Sequence, residues 1–308
     1  MTRVAGIDCG TNSIRLLVAD VHPDTGELVE LDRRMTIVRL GQGVDRTGRL
    51  APEALERTFA ACRAYAEVIE ELGAHTVRFV ATSASRDAEN RQDFVDGVVA
   101  ILGVEPEVIT GDQEAEFSFT GATGELHGDD RRLVVDIGGG STEFVVGTKH
   151  VEAARSVDIG CVRLTERHVR HDPPTAEEVA AIRADVRAAI DLAAETVPIT
   201  ETETLVGLAG SVTTVAAIAL GLEEYDSTKI HHARISRARV DEVVARLLAS
   251  THDERAAIPV VHPGRVDVII AGALVLAEIM ERTGAAEVVV SEHDILDGIA
   301  IKTAEDAP

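Results

Sequence analysis

A repeat sets the strongest limit on how this chain can fold. Asp8-Cys9-Gly10-Thr11-Asn12-Ser13-Ile14-Arg15-Leu16-Leu17-Val18 aligns without a gap to Asp136-Ile137-Gly138-Gly139-Gly140-Ser141-Thr142-Glu143-Phe144-Val145-Val146, which lies 128 positions later. Asp, Gly and Ser recur in register. Each copy reads as an apolar strand ending in aspartate, a glycine-containing turn with a hydroxyl residue, and a second apolar strand. That is a β-hairpin. One such hairpin is ordinary turn chemistry, with a glycine serving the bend and an aspartate capping it. Two matched copies instead predict a duplicated fold of two lobes, at residues 1–124 and 125–308, with both tips facing one interlobe cleft. The last C-terminal residues are a segment able to pack back on the first lobe.

The rest of the chain alternates strand and helix signals, which makes it an α/β protein. Strands are expected at Val4–Asp8, Ile14–Val21, Val77–Ala81, Arg132–Ile137, Glu143–Val146, Thr204–Leu208 and Glu287–Ser291. Pro52 to Leu72 reads as a helix with Leu55, Phe59, Cys62, Ala66 and Ile69 on one face and Gly73 stopping it. Thr175-Ala176-Glu177-Glu178 is a capping box, and Ser236 caps a further helix. The lobes are expected to part near Gly121–Asp130, where Gly, Thr and acidic residues break the pattern.

Composition excludes several classes of function. A formal charge of −23 repels a nucleic-acid backbone, and with 3% aromatic residues and no Trp there is little to stack on bases. The apolar runs are short and broken by charge, so no membrane partner is expected, and the start shows no signal-peptide pattern. Cys9, Cys62 and Cys161 are far apart and form no CxxC pair, which fits a reduced cytoplasm.

The repeated loops suit phosphate. Glycine lets backbone N–H groups approach an oxyanion, so Gly138, Gly139, Gly140 and Ser141 form a candidate cradle, with Asn12 and Ser13 as side-chain donors in the first copy. Asp8 and Asp136 are anions and make sense beside phosphate only with a cation such as Mg²⁺ between. No GxxxxGK[ST] occurs, and Gly138–Gly140 leads into a strand, so neither a P-loop nor a dinucleotide fingerprint is present.

At this point the chain resembles the superfamily of sugar and acetate kinases, heat-shock chaperones and actin. Within it, the chain is similar to the exopolyphosphatase/guanosine pentaphosphate phosphohydrolase family. Ile7–Ser13, Ala81–Asn90, Ile109–Glu116, Asp136–Glu143, Gly207-Leu208-Ala209-Gly210-Ser211 and Pro263-Gly264-Arg265-Val266-Asp267 carry the resemblance, in order along nearly the whole chain. It implies an actin-like (ribonuclease H-like) fold and hydrolysis of phosphoanhydride bonds in polyphosphate or guanosine pentaphosphate with Mg²⁺ (or Mn²⁺). It also implies a homodimer. By this resemblance Glu114 is the general base, with Gln113 where the family usually has a second Glu. Asp136, Glu143 and Asp8 are the metal candidates. Arg86 is a phosphate clamp, its bland alternative being a surface pair with Asp87 or Glu89. Gly210 and Ser211 close the far end of the phosphate channel, or form only a strand-to-helix turn. The family's C-terminal Arg-Glu-Gly element is Ile295-Leu296-Asp297-Gly298 here. Longer relatives add a helical domain, so shorter polyphosphates are the expected substrates.

Arg15 and Arg265 are weaker candidates for substrate charge, or inter-lobe ion pairs. The pairs His171-Asp172, His252-Asp253 and His293-Asp294 lack metal-ligand spacing and read as loop or surface residues. A superfamily kinase, which needs an acceptor hydroxyl, and a nucleotide-switched binding protein stay open beside the hydrolase.

Overall fold

Both copies of the repeat fold as hairpins. In the computed structural model, which describes residues 1–126 and 128–307, β1 (Thr2–Cys9) pairs antiparallel with β2 (Ser13–Val21), placing Asp8 opposite Arg15. β6 (Arg132–Ile137) pairs likewise with β7 (Thr142–Gly147), placing Asp136 opposite Glu143. The turns close alike. Gly10 N–H donates to Ser13 O at 2.9 Å, and Gly138 N–H to Ser141 O at 3.1 Å.

The duplication extends beyond the hairpins. A third antiparallel strand follows each: β3 (Leu28–Ile37) and β8 (Val151–Val157). Neither is among the expected strands. Each lies at one edge of its sheet, so polar residues such as Glu30, Asp32, Arg33 and Arg34 break the alternation that betrays a half-buried strand. Next, β4 (Thr76–Ala81) runs parallel to β1, and β9 (Thr204–Leu208) parallel to β6. β5 (Glu107–Val108), and β11 (Glu287–Val290) with β10 (Arg234–Ser236), complete the sheets. The two orders are β3-β2-β1-β4-β5 and, read the same way, β8-β7-β6-β9-β11-β10. Among the inner strands, β6 and β7 are buried along their whole length.

The helices follow their sequence signals. Pro52–Leu72 has Pro at its start and Gly73 in the left-handed region at its end, and buries Leu55, Cys62, Tyr65 and Ile69. Thr175 and Glu178 form the capping box of Ala176–Ala194, which buries Ile182, Val186 and Ile190. Ser236 caps Arg237–Ala249. Among the described residues no helix is long and apolar enough to cross a membrane.

The chain divides into two compact units: residues 1–126 with 294–307, and residues 128–293. The C-terminal helix Ile295–Glu305 therefore belongs to the first unit. Gly121, read as a boundary signal, lies inside the helix Gly111–Thr123. Its missing side chain lets the carbonyl of Asp294 approach, and Gly298 admits the backbone of Phe117 in the same way. These two glycines bring the helices into backbone contact. Asp294, read as a surface residue, is buried and caps the C-terminal helix.

Candidate active site

In the first unit the hairpin tip spends its carbonyls on structure. Thr11 O accepts from Gly41 N–H at 2.9 Å, and Asn12 O from Val38 N–H at 3.1 Å and Arg39 N–H at 2.8 Å. Among the described residues, the N–H groups of Thr11 and Asn12 have no backbone partner. The Thr11 and Ser83 hydroxyls meet at 2.8 Å, tying the tip to the turn after β4. The Oδ1 atoms of Asn12 and Asp8 are buried without a hydrogen-bond partner.

Asp8 has a counterion the sequence reading placed elsewhere. Arg15, its cross-strand neighbour, donates to Asp8 Oδ2 at 2.7 Å and also pairs with Asp294. Arg15 is thus a bridge within the first unit, pairing Asp8 with Asp294. Burial still pushes the Asp8 carboxyl above its usual range, against the pull of Arg15. Burial acts the same way on Asp294, but Arg15, Arg33 and the Leu296 N–H outweigh it and hold that carboxyl low. Arg33 also pairs with Asp297, so the element where the family has Arg-Glu-Gly is an acidic, ion-paired helix start.

Glu114 sits in the first turn of Gly111–Thr123 and is 7% exposed. Thr110 and Gln113 form the capping box of this helix. Gln113 therefore serves the helix end, and Glu114 is left for another task. Arg86 Nη1 lies 3.2 Å from Glu114 Oε2 and donates to Ile109 O at 3.0 Å. Through these contacts Arg86 clamps the entry of the Glu114 helix.

In the second unit, the carbonyls of the glycine loop are held by the helix Cys161–His168. Gly138 O accepts from Cys161 N–H at 3.0 Å, and Gly139 O from Val162 N–H at 2.9 Å and Arg163 N–H at 3.1 Å. Gly140 O accepts from Arg163 Nε at 2.7 Å. Gly160 permits this contact, since a Cβ there would lie 2.6 Å from Gly140 N. Among the described residues, the N–H groups of Gly139, Gly140 and Ser141 have no backbone partner. Such a run of free amides attracts anions.

Asp136 and Glu143, opposite each other across the hairpin, are both buried, and Glu143 Oε1 accepts from Ser156 Oγ at 2.7 Å. Two buried carboxylates facing across strands are a hard, all-oxygen donor set suited to Mg²⁺ or Mn²⁺. Gly210 and Ser211 open the helix Ala209–Leu220, where Ala209 takes a φ of 65°. The Arg265 guanidinium rests where a Gly210 side chain would be. The Ser211 hydroxyl is buried against Gly272 and bonds to the Cys161 thiol, which burial raises against the opposing pull of Ser211 and Arg265. Ser211 thus packs this junction, and Arg265 is the charged group at it. Arg163 and Gly160 escaped the sequence reading. The one signal for them is a glycine directly before a helix that follows an edge strand.

Two units whose sheets share the order of five strands, each led by an amide-bearing hairpin, define a duplicated α/β fold of the actin-like class. The model of the Ppx/GppA phosphatase family matches residues 17–306, and the chain belongs to that family. Exopolyphosphatase 2 of Mycobacterium tuberculosis is 51% identical over 316 residues, spanning 99% of each chain. The guanosine-5'-triphosphate,3'-diphosphate pyrophosphatase of Photobacterium profundum is 34% identical over 71% of this chain and 44% of its own length. Among solved structures, an exopolyphosphatase-like protein matches with a TM-score of 0.94 at 45% identity, over 98% of this chain and 99% of that one. The Aquifex aeolicus Ppx/GppA family member matches with a TM-score of 0.81 at 30% identity, over 100% and 99%.

Proposed function

We propose that the chain is an exopolyphosphatase, hydrolysing the terminal phosphoanhydride of inorganic polyphosphate and releasing orthophosphate. Shorter chains are its preferred substrates. The observation that carries this reading is Glu114, a buried carboxylate held by Arg86 at a helix start, in a chain 51% identical end to end to an exopolyphosphatase. Glu114 accepts the proton of the attacking water. The oxygen of that water bonds to the terminal phosphorus, and the bridging oxygen leaves with the shortened chain. The amides of Gly139, Gly140 and Ser141 bind phosphate oxygens, with Asn12 and Ser13 as further donors. A Mg²⁺ or Mn²⁺ ion held by Asp136 and Glu143 would supply positive charge against the phosphate oxygens. The three buried, unpaired cysteines support a reducing compartment such as the cytoplasm.

The test offers the purified protein Mg²⁺ with polyphosphates of several lengths, guanosine pentaphosphate and ATP, beside Glu114→Gln. Loss of a general base lowers the rate by about 10²–10⁴-fold. Phosphate release from polyphosphate, lost to that extent in the folded variant, is expected. Unchanged turnover in Glu114→Gln would remove Glu114 as the base, and a preference for guanosine pentaphosphate would replace the substrate.

A further inference from the structure

We propose that Arg163 is a positioning residue that fixes the direction of the second phosphate cradle. The inference rests on the phosphate-binding role proposed above for the Gly138–Ser141 loop. In a trans peptide the C=O and the next N–H point in opposite directions, so whatever holds a carbonyl also aims the following amide. Gly138 O, bound by Cys161 N–H, aims the Gly139 amide, and Gly139 O, bound by Val162 and Arg163 N–H, aims the Gly140 amide. Gly140 O is bound by Arg163 Nε at 2.7 Å, which aims the Ser141 amide. Three successive glycines have no side chains to resist a peptide flip, so these bonds decide whether donors or an acceptor meet the ligand.

The first hairpin shows what is particular to Arg163. Asn12 occupies the position of Gly140 in the repeat, and its carbonyl is held by the backbone amides of Val38 and Arg39. In the second loop a side chain does this work. The Arg163 side chain is 13% exposed, lies 3.9 Å from Asp158, and stands in the first turn of the helix whose amides hold the rest of the loop. A guanidinium so placed binds Gly140 O with a charge-assisted bond. It also adds positive charge behind the loop without itself touching the ligand.

The experiment uses the full chain with Arg163→Met, which keeps length but loses the donor, and Arg163→Lys, which keeps a charged donor. Inorganic orthophosphate is the probe, its affinity read from the rise in unfolding temperature with concentration. In parallel, kcat and KM are measured on tripolyphosphate with Mg²⁺. Loss of one hydrogen bond to a charged group corresponds to about 10–100-fold. The Met variant is expected to lose that much orthophosphate affinity and kcat/KM, while its unfolding temperature without ligand stays near the parent's. Lys is expected to regain part of both. Undiminished orthophosphate binding in Arg163→Met overturns the proposal, as does failure of the parent to bind orthophosphate. A loss that Lys does not relieve, accompanied by a fall in the ligand-free unfolding temperature, shows a merely structural role and also overturns it. A parent that binds orthophosphate but hydrolyses no polyphosphate ends the hydrolase reading alone, because the affinity series still reports on Arg163.

Discussion

Replacing Gly121 with alanine should destabilise the protein, although the same change inside an ordinary helix stabilises it. A helix-interior Gly→Ala substitution gains about 1 kcal/mol of helix propensity. At Gly121 a Cβ would lie 2.8 Å from the Asp294 carbonyl carbon and closer still to its oxygen. Favourable separations are about 3.5–4.0 Å, so the Glu114 helix and the C-terminal helix must part by roughly an ångström. The obstacle is backbone, which has no rotamer to move into, so the strain belongs at the upper end of overpacking, about 3 kcal/mol. The net effect is a loss of about 2 kcal/mol, or several degrees in unfolding temperature. The same displacement moves Glu114, and misplacement on this scale costs catalysis up to about 10²-fold. Gly124→Ala, at the end of the same helix, is the control, since its Cβ would meet nothing nearer than Thr120 O at 3.6 Å. Thermal unfolding and polyphosphate turnover are measured on both. A Gly121→Ala protein as stable and active as the parent would refute the backbone contact as the element that seats Glu114.

Two further predictions concern charge. Arg15→Met leaves Asp8 and Asp294 buried without their shared guanidinium, which should cost about 3–5 kcal/mol at neutral pH. In the parent, the pairing that holds Asp294 low stabilises the fold above the ordinary carboxylate range and is lost on acidification, whereas Asp8, held high, is a liability that acid relieves. In the variant both carboxyls rise, so its deficit should shrink as pH falls toward 5. Urea unfolding at pH 7.5 and 5.5 checks this, and a deficit independent of pH contradicts it. Chelation should abolish hydrolysis reversibly, and Glu143→Gln should raise the Mg²⁺ concentration for half-maximal activity by at least about tenfold. A titration curve unmoved by that substitution would exclude Glu143 as a ligand.

The hairpins, the central strands and the capped helices were legible because local pattern sets them. A glycine turn between apolar runs, or Thr175 three residues before Glu178, needs no distant information. What stayed illegible depends on partners far along the chain. Asp294 looks like a surface residue until Arg15, 279 residues away, is beside it. Gly121 carries the same signal whether it ends a helix or admits another backbone, and only the packing of Gly298 on Phe117 shows which. Arg163 is one of several arginines in its segment, and nothing in its spacing marks the carbonyl it holds. Arg86 reads from sequence as a phosphate clamp, and its ion pair with Glu114, 28 residues away, depends on the fold.

The helix that seats Glu114 is completed by residues from Asp294 onward, which changes how the protein can be made. Domains emerging from the ribosome usually fold in order, the first while the second is still being synthesised. Here the first unit lacks its closing helix until the second has been translated in full. A nascent chain can assemble the glycine-loop unit while the Glu114 helix still lacks its packing partner. The two halves of the duplication can therefore mature in the reverse of their genetic order.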